Sequence, residues 1–312
     1  MSIEEAYSRE FEEIIDSEKA YELFWDGHIK DKTAFNCIFC NSRITCANLD
    51  KERAEMKNLP HFKSVEGHKD DCDLILIENI KKNGTGTGKE RSFIDGEIDE
   101  LKIISNIVGV KKIINNNISE EGQYNCLKKE KIINGYKEGV RRKSKYNSIR
   151  PIISKYQKYN KDKLLNNKYI NVYKDKGDRK KDININYSDM FVNVSETNID
   201  KVSKYKRIYY GEGIITKRNN DYMVIFNTGF NKDKYSIRTI FFINTDKHLS
   251  QLNNFEQWKN RLEDIVNNKE KLMIYIYTNY IKETSYVNNE KKKINVINPM
   301  LESIGCFDYR RL

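Results

Sequence analysis

Apolar positions along this chain fall into short, separate runs rather than one continuous pattern. Over residues 3–24, Ile3, Ala6, Tyr7, Phe11, Ile14 and Ile15 recur at intervals of three and four with Glu between them, and Asp26-Gly27 follows. That spacing predicts one amphipathic N-terminal helix. Leu74-Ile75-Leu76-Ile77 reads as a buried strand or the start of a helix. Ile94, Ile98, Leu101, Ile103, Ile104 and Ile107 carry partial helical spacing. Ser148-Ile149-Arg150-Pro151 opens a helix to Tyr159, with Pro in the first turn and Ser148 as the cap. Tyr169–Tyr173 alternates as a strand.

The last third is the most regular. Lys206–Lys217 reads as a long strand, with Gly211 and Gly213 allowing it to bend. Asn219-Asn220-Asp221 turns the chain into a second strand, Tyr222–Asn227. Ile237–Asn244 is a third strand. Leu249–Ile265 is a helix with Leu252, Phe255, Trp258, Leu262 and Ile265 on one face. Leu272–Tyr280 and Lys292–Ile297 complete five strands in the order β-β-β-α-β-β, the order of a five-stranded OB-like barrel. The fold class expected is therefore modular α+β. An N-terminal helix and metal module covers 1–80. A Gly/Thr linker and basic mixed region covers 81–200. The barrel covers 201–312.

Scarce residues change this picture most. Four of the six Cys and three of the four His lie between His28 and Cys72. Cys37-Ile38-Phe39-Cys40 is a two-residue-spaced knuckle whose thiolates point at one spot, and His68 and Cys72 are separated by three residues. This paired spacing predicts one tetrahedral Zn2+ held by Cys37, Cys40, His68 and Cys72. His61 competes with His68 for the nitrogen position, and Cys46 is a further candidate. Four protein ligands leave no open position for water, so the ion is expected to be structural.

The order Cys37-x2-Cys40, Pro60-His61-Phe62 and then a late His or Cys resembles the N-terminal zinc ribbon of competence-protein-CoiA-like bacterial proteins, over about residues 25–75. Ser64 stands where that pattern places its second His, which leaves the fourth ligand open. The resemblance implies a role in bacterial DNA processing or defence. Some family members carry a nuclease-like domain after the ribbon.

The 312 residues are 38% hydrophobic and 33% charged, with a net charge of +10 and a pI near 9.0. The surplus favours a polyanion as partner. Its densest stretch is Lys128–Arg150, with Lys137, Arg141, Arg142, Lys143 and Lys145 interleaved by Tyr136 and Tyr146, a composition that suits phosphates and stacked bases. On the barrel, Lys217, Tyr222, Phe226 and Arg238, with Tyr209, are the expected nucleic-acid contacts. A protein adaptor in which the charge serves solubility is the alternative.

Other chemistry finds less support. Residues 81–92 alternate Gly and Thr, but Asn83 and Glu90 stand where a phosphate loop needs Gly and Ser or Thr, so a linker is expected. Glu100-x-Lys102, with Asp95 or Asp99 upstream, and Glu290-x-Lys292 have the local spacing of a metal-dependent nuclease without its strand context. His248 reads as a surface residue at a helix start, with no nucleophile nearby. No apolar run reaches about 18 residues, which argues against a membrane span, and the clustered Cys argue for a reducing cytoplasm.

Overall fold

The computed structural model describes residues 3, 5–53, 56–70, 72, 74–75, 98–103, 145–172, 183–232, 235–250, 252, 255–279, 281–287 and 293–312. The chain divides into two compact units. The first comprises Met1–Glu100 and Asn106–Lys145, the second Leu101–Ser105 and Tyr146–Leu312. The architecture is mixed α+β, mostly sheet with few helices. The expected linker at 81–92 and the basic residues Lys137, Arg141, Arg142 and Lys143 lie outside the described residues, as do Asp95, Glu290 and Lys292.

In the first unit the N-terminal stretch is not a single helix. It forms a hairpin of β1 (Glu5–Ser8) and β2 (Glu13–Asp16), followed by helix α1 (Ser17–Trp25). The reason is local. Glu12 adopts a left-handed backbone (φ 57°) and its N–H bonds to the Ser8 carbonyl, which turns the chain. Asp16 then caps α1 by accepting from Lys19 N at 2.7 Å. Spacing of three and four is ambiguous over so short a span, and pairing with a distant strand decides it. Tyr7 and Ser8 pair with Asn36 and Phe35 of β3 (Phe35–Asn36). With β4 (Arg43–Ala47) and β5 (His61–Ser64), the antiparallel order is β2-β1-β3-β4-β5. Beneath it Ala6, Ile15, Tyr21, Leu23, Trp25, Phe35, Ile44 and Phe62 are buried. Phe35 and Phe62 pack with centroids 5.2 Å apart. Each such side chain contributes about 1.5–3 kcal/mol by leaving water. An Arg53–Glu18 ion pair, with the guanidinium 4.2 Å over Tyr21, closes the edge of this core.

The boundaries between the units fall within β6 (Ile98–Leu101), between Ser105 and Asn106, and within β7 (Lys145–Tyr146). In the second unit, helix α2 (Arg150–Lys161) starts where expected with Pro151 in its first turn. Ser148 is not its cap, since Ile149 occupies that position without a side-chain bond. A hairpin of β8 (Tyr169–Val172) and β9 (Ile183–Asn186) leads through the single-turn helix α3 (Tyr187–Met190) into β10 (Phe191–Asn193).

The remaining strands are β11 (Arg207–Arg218), β12 (Asp221–Phe226), β13 (Phe230–Lys232), β14 (Tyr235–Ile237) and β15 (Ile240–Ile243). Helix α4 (Phe255–Asn268) comes next, then β16 (Leu272–Thr278), β17 (Ile281–Val287), β18 (Lys293–Pro299) and β19 (Phe307–Arg311). The main sheet runs β15-β12-β11-β16-β19, with β10 parallel to β11. The side chains of Ile215, Val224, Phe241 and Ile274 are buried, as are Trp258, Leu262 and Ile265 of α4. Gly213 lets β11 and β12 approach, because a Cβ there would lie 2.4 Å from the Ile225 carbonyl oxygen. The expected five strands and their helix are all present, but among the described residues they form no ring of ladders. β18 pairs with β17 and reaches the segment before β15 through one parallel bridge, Thr239–Ile297, in which Ile297 N donates to Arg238 O at 2.8 Å.

Candidate metal centre

The knuckle is built by two backbone bonds. Cys37 N donates to Ser42 O at 2.8 Å and Asn41 N to Cys37 O at 3.0 Å. Asn41 takes a left-handed backbone (φ 59°), which Asn tolerates better than most residues. This tight return aims Cys37 and Cys40 inward from the end of β3. The second pair arrives on the segment after β5, where Cys72 N donates to Lys69 O at 2.9 Å and a turn brings His68 over the knuckle.

The four ligand atoms lie within 4.8 Å of one another and could hold a metal ion. Cys37 Sγ and Cys72 Sγ are 3.8 Å apart. His68 Nδ1 is 3.4 Å from Cys40 Sγ and 3.6 Å from Cys72 Sγ. A tetrahedral ion with bonds of about 2.3 Å to sulfur and about 2.0 Å to nitrogen sets its ligands about 3.5–3.8 Å apart. These three separations are close to that spacing. The three Cys are buried and His68 is half-buried.

Charge at the site shows why a cation fits. Burial pushes the Cys37 thiol up. Burial, then the hydrogen bond to Cys40 and the nearby Cys37 and Cys40 charges, push Cys72 up to about 12. Cys40 goes the other way, to about 5. Burial opposes that shift, but donors from the Ser42 hydroxyl and amide, the Lys69 amide and His68 outweigh it. Three crowded thiols thus resist joint ionisation until a cation supplies the opposing charge, and a coordinating thiol is then deprotonated outright.

The other metal candidates fall elsewhere. His61 sits on β5 opposite Ala47, its Nδ1 2.8 Å from the Leu59 carbonyl oxygen and outside the cluster. Cys46 points into the core of the sheet, opposite Phe62, and its burial pushes the thiol up.

Among the expected nucleic-acid contacts, Lys217 is exposed and pairs with Glu263 at 2.9 Å, and Arg238 is exposed. Tyr222, Tyr209 and Phe226 are buried, each 1% exposed, so these three rings belong to the core rather than to a surface. Lys145 is described only as part of β7. Exposed rings that the pattern did not single out are Tyr205 and Tyr235, at 52% and 57%. Tyr235 lies across from Lys232 on the β13–β14 hairpin, and the Lys232 ammonium pairs with Glu283 at 2.8 Å.

Asp99 and Glu100 are buried on β6 and both have interaction partners. His248 is buried, not on the surface. It sits in a π-helical turn, Thr245–Leu249, where Nδ1 accepts from Asn244 N at 3.0 Å. Among the described residues no helix is long and apolar enough to cross a membrane. Comparison with known protein families, curated proteins and solved structures finds no match to this chain.

Proposed function

We propose that this is a zinc-stabilised nucleic-acid-binding protein without catalytic chemistry of its own. The three-sulfur, one-nitrogen donor set suits Zn2+, a borderline-soft ion that accepts Cys and His at these separations. All four positions would be filled by protein, so the ion's role is to hold the first unit together.

One observation carries the binding role, the distribution of charge. Residues 1–36 hold ten carboxylates against four Lys and Arg, which leaves 52 Lys and Arg against 36 Asp and Glu in the rest of the chain. The basic residues Lys137, Arg141, Arg142, Lys143 and Lys145 supply phosphate contacts in this reading. The second unit is read as an OB-like barrel. Its first four strands stand in the order third-second-first-fourth, with a helix between the third and fourth, and β18 comes fifth. The likeness of residues 25–75 to CoiA-like ribbons suggests DNA processing or defence in a bacterial cytoplasm, where the thiols stay reduced.

The test is a binding titration of the full chain against labelled DNA and RNA at two salt concentrations. Affinity is expected to fall steeply with salt, with a log–log slope of about −0.7 to −0.9 per phosphate contact. Arg141→Glu/Arg142→Glu should weaken it. Absence of binding to every nucleic acid would refute the reading.

A second reading, a protein adaptor, has its own support. Leu59 and Val65 flank the edge strand β5 and are 45% and 59% exposed, as a contact surface would be. A stoichiometric partner retained after nuclease treatment, and lost in Leu59→Ser/Val65→Ser, would favour it.

A further inference from the structure

The main sheet of the second unit has two unlike faces. On one, Ile215, Val224 and Phe241 are almost wholly buried. On the other, the alternation of β11, β12 and β15 brings up Ile214, Thr216, Met223, Ile225 and Phe242. They are neighbours by register: Ile214 opposes Ile225, Thr216 opposes Met223, and Met223 opposes Phe242. All five are half-buried, and none of the four apolar members belongs to the hydrophobic core cluster or packs against it. The result is an apolar strip crossing three strands, bounded beside Ile225 by Ile240, which opposes it and is 3% exposed.

Cations mark both ends of it. The Arg218 guanidinium stands 5.8 Å over the Phe242 ring. Arg238, four residues before Phe242, is exposed and has no ion pair among the described residues. The acids nearby are Asp221, which accepts from Asn244 and Thr245, and the exposed Glu212, which opposes Met273 on β16.

We infer that this strip is a stacking platform for single-stranded nucleic acid, with bases against Phe242, Ile225, Ile214 and Met223 and phosphates at Arg218 and Arg238. The inference rests on the nucleic-acid reading above and assigns it a site and a substrate class. An apolar, partly aromatic surface gains nothing from a duplex, whose base faces are already stacked inside. Against a single strand it offers each base a flat apolar contact. The sparse cations suit a short strand held mainly by stacking. Along β15, four residues span about 13 Å at about 3.3 Å per residue, which limits the platform to a short strand.

The experiment compares full-length protein binding to a fluorescent oligothymidylate, the matching oligouridylate and a DNA duplex, at several salt concentrations. Single strands should bind at least about tenfold more tightly than duplex. Phe242→Ala should weaken single-strand binding about tenfold, as loss of one stacking contact does. Arg238→Glu, at an exposed position that folding does not need, should flatten the salt slope by about 0.7. It keeps the test decisive if Phe242→Ala unfolds. Equal binding of duplex and single strand overturns the substrate class. Single-strand binding indifferent to both substitutions overturns the site while leaving the nucleic-acid reading standing. No binding of any probe overturns both.

Discussion

Removing the metal should unfold the first unit and spare the second. The ion would tie Cys37 to Cys72, closing a loop of 36 residues. The loop-closure relation for a cross-link of that length gives about 4 kcal/mol of stabilisation from the constraint on the unfolded chain. For a unit of this size, about 4 kcal/mol corresponds to a fall of about 15 °C or more in its melting temperature. The loss should exceed that figure, because three buried thiols and His68 would also lose their common partner. The molecule supplies its own reporters, since its two Trp fall in different units. Trp25 is 4% exposed beside Tyr21 and Phe24, and Trp258 is 3% exposed on α4. Thermal unfolding would be followed by fluorescence in Trp258→Phe and Trp25→Phe backgrounds, with and without a zinc chelator, and in Cys72→Ser. Chelation and Cys72→Ser should each shift the Trp25 transition downward and leave that of Trp258 in place. An unchanged Trp25 transition after metal analysis shows the ion gone would refute the reasoning.

Three further outcomes are expected. Cys46→Ala should leave bound metal at one per chain, whereas Cys40→Ala should abolish it, and metal analysis after dialysis separates the two. Gly213→Ala should destabilise the second unit by about 1–3 kcal/mol in denaturant melts, because its Cβ would meet the Ile225 carbonyl oxygen at 2.4 Å and Ile274 Cδ1 at 2.5 Å. His248 is held below the ordinary histidine pKa, first by burial and then by Lys247, while the Leu301 carbonyl and Asp221 oppose the shift. The unfolded chain therefore takes up its proton first as pH falls, so the stabilisation is complete above about pH 6.5 and declines below it. Melting temperatures measured between pH 5 and 7.5 should show this decline in the native chain and a shallower one in His248→Gln.

Much of the second unit was legible because its strands alternate cleanly and its helix carries an apolar stripe. The elements missed there hide for a definite reason. β19 reads Phe-Asp-Tyr-Arg-Arg, yet Asp308 and Arg310 are buried and pair with each other, with Arg150 beside them. A strand whose inward polar groups satisfy one another has no apolar signature. The spacing over residues 3–15 favours a helix, because the adjacent Ala6 and Tyr7 break any alternation, and only pairing with Phe35–Asn36, about thirty residues away, makes β1 a strand. The clustering of Cys37, Cys40, His68 and Cys72 was legible at once, since scarce residues at fixed spacing need no tertiary context. The choice of His68 over His61 required geometry, because both stand at usable distances along the chain. Burial of Tyr222, Tyr209 and Phe226 was invisible for the same reason that the strip around Phe242 was. Alternation shows that a strand has two faces, and only packing shows which one the helix covers.

The chain order of the four ligands has a consequence for synthesis. Cys40 is made 28 residues before His68 and 32 before Cys72, and Cys37 is made 35 before Cys72. At about 5–20 residues per second, a growing chain carries a half-formed knuckle of two free thiols for about 2–6 seconds before the set is complete. During that interval neither thiol has its metal, and each is open to oxidation or to a wrong disulfide. On the metal-binding reading, maturation is a race between elongation and oxidation, won most easily where thiols are kept reduced and a metal ion is at hand when residue 72 emerges.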